Sequence, residues 1–110
     1  MLDATYMQMD VKTQVLNSSL ARLSSEDALS HAVCGLAEEA GEVAGLLKRE
    51  VYKRQPQPID RWKEELGDVL WYLCETANQK GLTIEEIFEY NRAKLKVRYG
   101  DWEAKKDELG

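Results

Sequence analysis

The chain has 110 residues, with 15 Lys and Arg against 20 Asp and Glu, for a net charge of −5. That length suits one domain, and 44% hydrophobic with 32% charged residues is the composition of a folded chain rather than a disordered one. The acidic balance excludes a general nucleic-acid binder, which needs a basic patch. No apolar run approaches the ~20 residues of a membrane span.

Nearly everything reads as helix, since Pro occurs only at 56 and 58 and no β-branched run has period two. The first helix is predicted over 3–23. Ser24 or Ser25 then caps a second helix over 27–51, whose last turn is basic, as the helix dipole favours. Lys53-Arg54-Gln55-Pro56-Gln57-Pro58 breaks the chain. The third helix is predicted over 59–79 and ends at Gly81. Thr83 with Glu86 forms a capping box for a fourth over 84–98, closed by Gly100. This gives a helical domain over 1–100 and a charged tail over 101–110. Cys74 lies among Leu70, Leu73 and Ala77 as a core residue, Cys34 falls off the apolar stripe, and His31 reads as a surface residue. Free thiols without a visible signal peptide fit a cytoplasmic location.

Four acidic residues stand out. Glu39 and Glu42 lie three apart, with Glu38 beside them, and Glu65 and Asp68 repeat the spacing. Residues three apart share a helix face, so each pair presents two carboxylates in one direction. On a helical wheel, Leu29, Val33, Leu36, Ala40, Val43, Ala44, Leu47 and Val51 form a core stripe about 90° from Glu39. Trp62, Leu66, Val69, Leu70, Leu73 and Ala77 form one about 100° from Glu65. Glu42 and Asp68 each lie about 60° to the other side. The short connection makes the two helices antiparallel, so the acidic flanks aim at each other or directly apart. Convergence would give an all-oxygen cage suited to Mg²⁺ or Mn²⁺. The nearest cations by spacing, Lys48, Arg61 and Lys63, sit at other angles. Gly41, Gly45 and Gly67 each cost about 1 kcal/mol in a helix relative to Ala, which points to close backbone approach, either tight helix–helix packing or room for a ligand.

The blocks Gly35-Leu36-Ala37-Glu38-Glu39-Ala40-Gly41-Glu42-Val43 and Glu64-Glu65-Leu66-Gly67-Asp68-Val69-Leu70-Trp71-Tyr72 resemble the E-E-x-x-E … E-x-x-D signature of MazG-type nucleoside triphosphate pyrophosphohydrolases. Asn91, Lys94 and Arg98-Tyr99 are similar to the family's third block. The resemblance implies an all-α, four-helix bundle-like fold shared with dimeric dUTPases and the mammalian dCTP pyrophosphatase. It implies Mg²⁺-dependent cleavage of a nucleoside triphosphate between the α- and β-phosphates, yielding a monophosphate and pyrophosphate. It assigns Glu39, Glu42, Glu65 and Asp68 as metal ligands. Glu38 becomes a further metal contact or the residue that orients the attacking water, and Lys94 and Arg98 become phosphate contacts. A homo-oligomer, dimer or tetramer, is implied as well.

For the base, Trp71, Tyr72, Tyr6, Trp62 and Trp102 offer aromatic faces. Trp62 falls in the core stripe, and Trp71 lies opposite it, as a dimer contact or pocket wall. The alternative to an enzyme is a non-catalytic helical assembly or regulatory module that retains the acidic face.

Overall fold

The computed structural model describes residues 3–100. Among them are four α-helices, α1 (Ala4–Leu16), α2 (Ser25–Val51), α3 (Ile59–Gln79) and α4 (Ile84–Tyr99), one 3₁₀ turn (Ser19–Arg22) and no strand. The all-α expectation holds. The tail 101–110, with Trp102, lies outside the described residues.

Caps set most boundaries. The Ser24 hydroxyl accepts from Asp27 N at 3.1 Å to open α2, and the Thr83–Glu86 capping box opens α4. Gly81 and Gly100 take positive φ, at 68° and 77°, after the last turns of α3 and α4. The first helix is shorter than its apolar pattern suggests. Asn17 Nδ2 donates to Thr13 O at 3.0 Å and Ser18 Oγ donates to Val15 O at 2.8 Å. Ser18 Oγ also accepts from Leu20 N. These side chains offer the backbone partners outside the helical ladder, so the α-helix ends at Leu16 and a 3₁₀ turn follows.

The helices α2 and α3 form a long hairpin. Its connection is held by Glu50 Oε1, which accepts from Trp62 Nε1 at 2.8 Å and from Gln57 N at 3.3 Å. Trp62 is half-buried at this joint. The helix α1 lies on α3, where Val11, Val15 and Cys74 make a small core edged by Met7, Leu20, Trp71 and Ile84. Gln8 ties α1 to the α3–α4 turn. Its Nε2 donates to Asn78 Oδ1 and Leu82 O, and its Oε1 accepts from Ile84 N at 2.7 Å. The helix α4 lies mainly on α1. Cys74 is buried and Cys34 exposed, as the pattern suggests.

The hairpin corrects the wheel in one respect. The α2 residues buried along the seam are Ala32 and Leu46, and both lie seven residues from Glu39. The seam therefore runs along the Glu39 side of α2 rather than along the predicted stripe. Val33, Leu47 and Val51 are exposed, and Leu66 and Leu70 of α3 are too. Small residues on this side, Ala28, Ala32 and Gly35, let the helices meet there beside the buried Leu46, while Val33, Leu47 and Val51 stay exposed. The chain alone is not a closed bundle: its radius of gyration is 17.1 Å, against ~13 Å for a compact domain of this length.

Candidate metal centre and adjoining cavity

Because the seam passes through Glu39, the antiparallel hairpin brings that residue opposite Glu65 and Asp68. One oxygen from each of these three carboxylates lies within 4.8 Å of the others. Glu65 is buried, Glu39 half-buried and Asp68 exposed. Desolvation first, then the charges of Asp68, Glu65, Glu38 and Glu42, push the Glu39 carboxyl above its ordinary range. Such a cluster is repulsive in itself, and a divalent cation held between the carboxylates would offset the repulsion. An all-carboxylate donor set fits a hard cation such as Mg²⁺ or Mn²⁺.

The predicted residues divide into three groups. Glu39, Glu65 and Asp68 meet. Glu42 and Glu38 are exposed on α2 and lie outside the tight cluster, although their charges reach Glu39. Lys94 and Arg98 line a separate surface cavity with Tyr90, Ala93 and Val97, and no carboxylate of the cluster lines it. Arg61 departs from expectation. Its guanidinium lies 3.3 Å from Glu65 and 3.7 Å from Glu64. The four-residue spacing to Glu65 brings it within reach of the cluster's inner edge.

Beside the carboxylates opens a cavity of 310 Å³ lined by Glu39, Asp68, Trp71 and Tyr72. It sits at the low end of the size range for ligand sites, roughly 300–1,000 Å³. Trp71 is a wall here: its Nε1 donates to Gln14 Oε1 of α1 at 2.8 Å, and its ring meets Tyr72 edge-on at 5.0 Å between centroids. Desolvation, then the charges of Glu39, Glu38 and Asp68, raise the Tyr72 hydroxyl above its usual range and keep it protonated. His31, exposed on α2, lies 6.1 Å from the Tyr72 ring at a 42° tilt. Of the other aromatics considered for a base, Tyr6 is exposed on α1 and Trp62 is held at the hairpin joint.

The glycines singled out for close approach are open. A Cβ at Gly41, Gly45 or Gly67 would meet nothing within 4 Å. Close approach occurs at Gly35 instead, where a Cβ would overlap the Tyr72 ring. Sequence reasoning also passed over Glu75, seven residues beyond Asp68 and buried. Its carboxylate accepts from Gln79 Nε2 at 3.3 Å, and desolvation raises it, partly offset by Gln79 and His31. The available signal was the repeat of an acid one heptad on from Asp68.

The MazG nucleotide pyrophosphohydrolase domain family matches residues 28–101. The chain belongs to that family. The match takes in both acidic blocks and α4, and leaves α1 outside it. The Gene 37 protein of Mycobacterium phage L5 is 33% identical over 78 residues, covering 67% of this chain and 68% of that protein. No solved structure matches the chain. The helix α1, outside the MazG match, nonetheless supports the cavity wall, since Gln14 Oε1 accepts from Trp71 Nε1.

Proposed function

We propose that the chain is a divalent-metal-dependent nucleoside triphosphate pyrophosphohydrolase. It converts a (deoxy)nucleoside triphosphate to the monophosphate and pyrophosphate, as a nucleotide-pool house-cleaning enzyme. The observation that carries this reading is the convergence of Glu39, Glu65 and Asp68 in a chain of the MazG family. Those three would hold the metal, Mg²⁺ or Mn²⁺, with Glu42 joining them from the same face of α2. A metal held there would supply charge neutralisation for the phosphates and acidify the attacking water. Glu38, next to Glu39 but about 100° round the helix, orients the attacking water. No Ser, Cys or His nucleophile is required. Trp71 and Tyr72 form the wall for the nucleoside.

Lys94 and Arg98 are the phosphate contacts of this reading. They lie on α4, which packs mainly on α1. The exposed apolar side chains of the α2–α3 hairpin, with Leu47 at 52% and Val51 at 55% exposure, support a homo-oligomer. In a dimer or tetramer, α4 of a neighbouring copy can bring its cations to the acidic cluster. No nucleic acid or membrane enters this reading, and no helix among the described residues is long and apolar enough to cross a membrane.

The test incubates the protein with Mg²⁺ and a panel of (d)NTPs and follows pyrophosphate. Pyrophosphate with monophosphate is the expected product pair. Orthophosphate as the sole initial product would overturn α–β cleavage. No turnover with any nucleotide would favour a helical assembly module that keeps the acidic face.

A further inference from the structure

We infer that Gln8 is a positioning residue for the substrate's phosphates: its side-chain amide fixes the start of α4, and with it the line along which Lys94 and Arg98 are presented. This rests on the nucleotide reading above, in which those two cations hold the phosphates, and adds to it the residue of α1 that aims them.

Three observations carry it. First, α4 has little else to hold its direction. None of its residues is buried, and it lies mainly on α1. Phe88, Tyr90 and Val97 are each more than half exposed. Second, Gln8 is 7% exposed and uses its whole amide on the α3–α4 junction. Its Nε2 donates to Asn78 Oδ1 at 3.1 Å and to Leu82 O at 3.0 Å, and its Oε1 accepts from Ile84 N at 2.7 Å. Asn78 Nδ2 donates in return to Gln8 O at 3.1 Å. Ile84 N belongs to the first residue of α4, one of the N–H groups that a helix leaves without an internal acceptor. The capping box serves Glu86 N and Thr83 N, so the N–H of Ile84 falls to Gln8. The anchor points lie at the end of α3, in the turn and on α4, and together they set both the position and the tilt of α4.

Third, the cations lie far along the lever. Lys94 and Arg98 stand ten and fourteen residues beyond Ile84, ~15 and ~21 Å along the axis. A tilt of roughly 10° at the junction moves Arg98 by about 4 Å at that length. That is well beyond the ~1 Å misplacement that already costs a bound group its alignment. The task needs a donor and an acceptor on one side chain, which an amide offers. Gln8→Glu would set a carboxylate against Leu82 O and Asn78 Oδ1, and Gln8→Met keeps the length while removing all three bonds.

The experiment measures kcat and KM on the best substrate of the nucleotide panel, together with melting temperature. It takes the wild type, Gln8→Met, Asn78→Ala, Glu50→Ala, Lys94→Ala/Arg98→Ala, and that double variant combined with Gln8→Met. Gln8→Met is expected to raise KM about tenfold, the scale of one hydrogen bond to a charged group. Its kcat should stay within about twofold, the split that marks lost binding rather than lost chemistry. Its Mg²⁺ affinity by isothermal titration should match the wild type, because the carboxylates lie on α2 and α3. Asn78→Ala removes two of the bonds and leaves those to Leu82 and Ile84, so it should raise KM by less. It decides the matter if Gln8→Met does not fold. Glu50→Ala destabilises the hairpin joint without touching the clasp and should leave KM unchanged. In the Lys94→Ala/Arg98→Ala background, Gln8→Met should raise KM no further. A wild-type KM in both clasp variants, an equal rise in Glu50→Ala, or a full further rise in the combined variant would each overturn the inference while leaving the nucleotide reading intact. A wild-type KM in Lys94→Ala/Arg98→Ala would overturn the phosphate contacts, and this inference with them. A wild type inactive on every triphosphate would sink the nucleotide reading itself, and this one with it.

Discussion

Arg61 reaches forward over one helical turn to lie 3.3 Å from Glu65, the buried member of the three converging carboxylates. The pair places a cation where the metal's charge would otherwise act. Arg61 is itself 41% exposed, so solvent screens the interaction and its strength is modest, about 0.4–1 kcal/mol. Arg61→Gln should therefore lower the stability of the metal-free protein slightly and tighten Mg²⁺ affinity roughly two- to fivefold. Isothermal titration with Mg²⁺ reads the affinity directly, and a weaker affinity in the variant would show that Arg61 supports the cation rather than competing with it.

Removing one ligand charge should separate stability from activity. Glu39→Gln, Glu65→Gln and Asp68→Asn are each expected to reduce Mg²⁺-dependent turnover by ~10³-fold, the scale of several kcal/mol of charge stabilisation. Glu39→Gln should at the same time raise the melting temperature of the metal-free protein, since it relieves repulsion from four neighbouring acids. Glu42→Gln tests the outer position: full activity there would restrict the ligand set to the three carboxylates that already meet.

The same repulsion gives a pH dependence with a definite sign. Glu39 titrates above its ordinary 4.5 in the folded chain, so the folded state holds that proton more tightly than the unfolded one. Its contribution to stability is greatest at acid pH and is lost as pH rises from the ordinary value through the raised one. Mg²⁺ acts in the opposite sense, binding the ionised form. The rise in melting temperature on adding Mg²⁺ should be larger at about pH 7.5 than at about pH 5. Equal shifts at both would mean that Mg²⁺ binds elsewhere.

Glu50 is predicted to matter for the fold and not for the chemistry. Its Oε1 accepts from the Trp62 indole and the Gln57 backbone at the hairpin joint, well along α2 from the carboxylate cluster. Glu50→Ala leaves both donors without that partner and should cost about 1–3 kcal/mol. A urea midpoint shifted down with turnover retained is the expected outcome.

The exposed apolar side of the hairpin predicts self-association. Leu47→Glu or Leu70→Glu should move the species seen by light scattering toward the 12.6 kDa monomer, and turnover should fall with it if Lys94 and Arg98 act across subunits. A wild type that already scatters as a monomer at micromolar concentration would refute the oligomer.

The helices themselves were set locally. Ser24, Thr83 with Glu86, Gly81 and Gly100 act through caps and backbone dihedrals within a few residues, so α2, α3 and α4 could be bounded from the chain alone. The end of α1 was missed because the Asn17 and Ser18 side chains compete for backbone partners that an apolar pattern does not register. The paired spacing of Glu39 with Glu42 and of Glu65 with Asp68 likewise announced an acidic face on each helix. What no wheel could decide was the rotation of α2 against α3. A wheel ranks faces by hydrophobicity, but this hairpin meets along Ala32, Gly35 and Leu46, where the small residues permit close contact, and leaves Val33, Leu47, Val51, Leu66 and Leu70 exposed. That choice made Glu39 part of the seam and brought Glu65 and Asp68 opposite it, while Glu42 stayed at the rim. It also made Gly35, rather than the glycines within the acidic motifs, the point of close approach, because the ring that needs the space comes from Tyr72 on another helix. Contacts between residues far apart in the chain depend on how two surfaces fit, and that fit exists only once the helices are side by side.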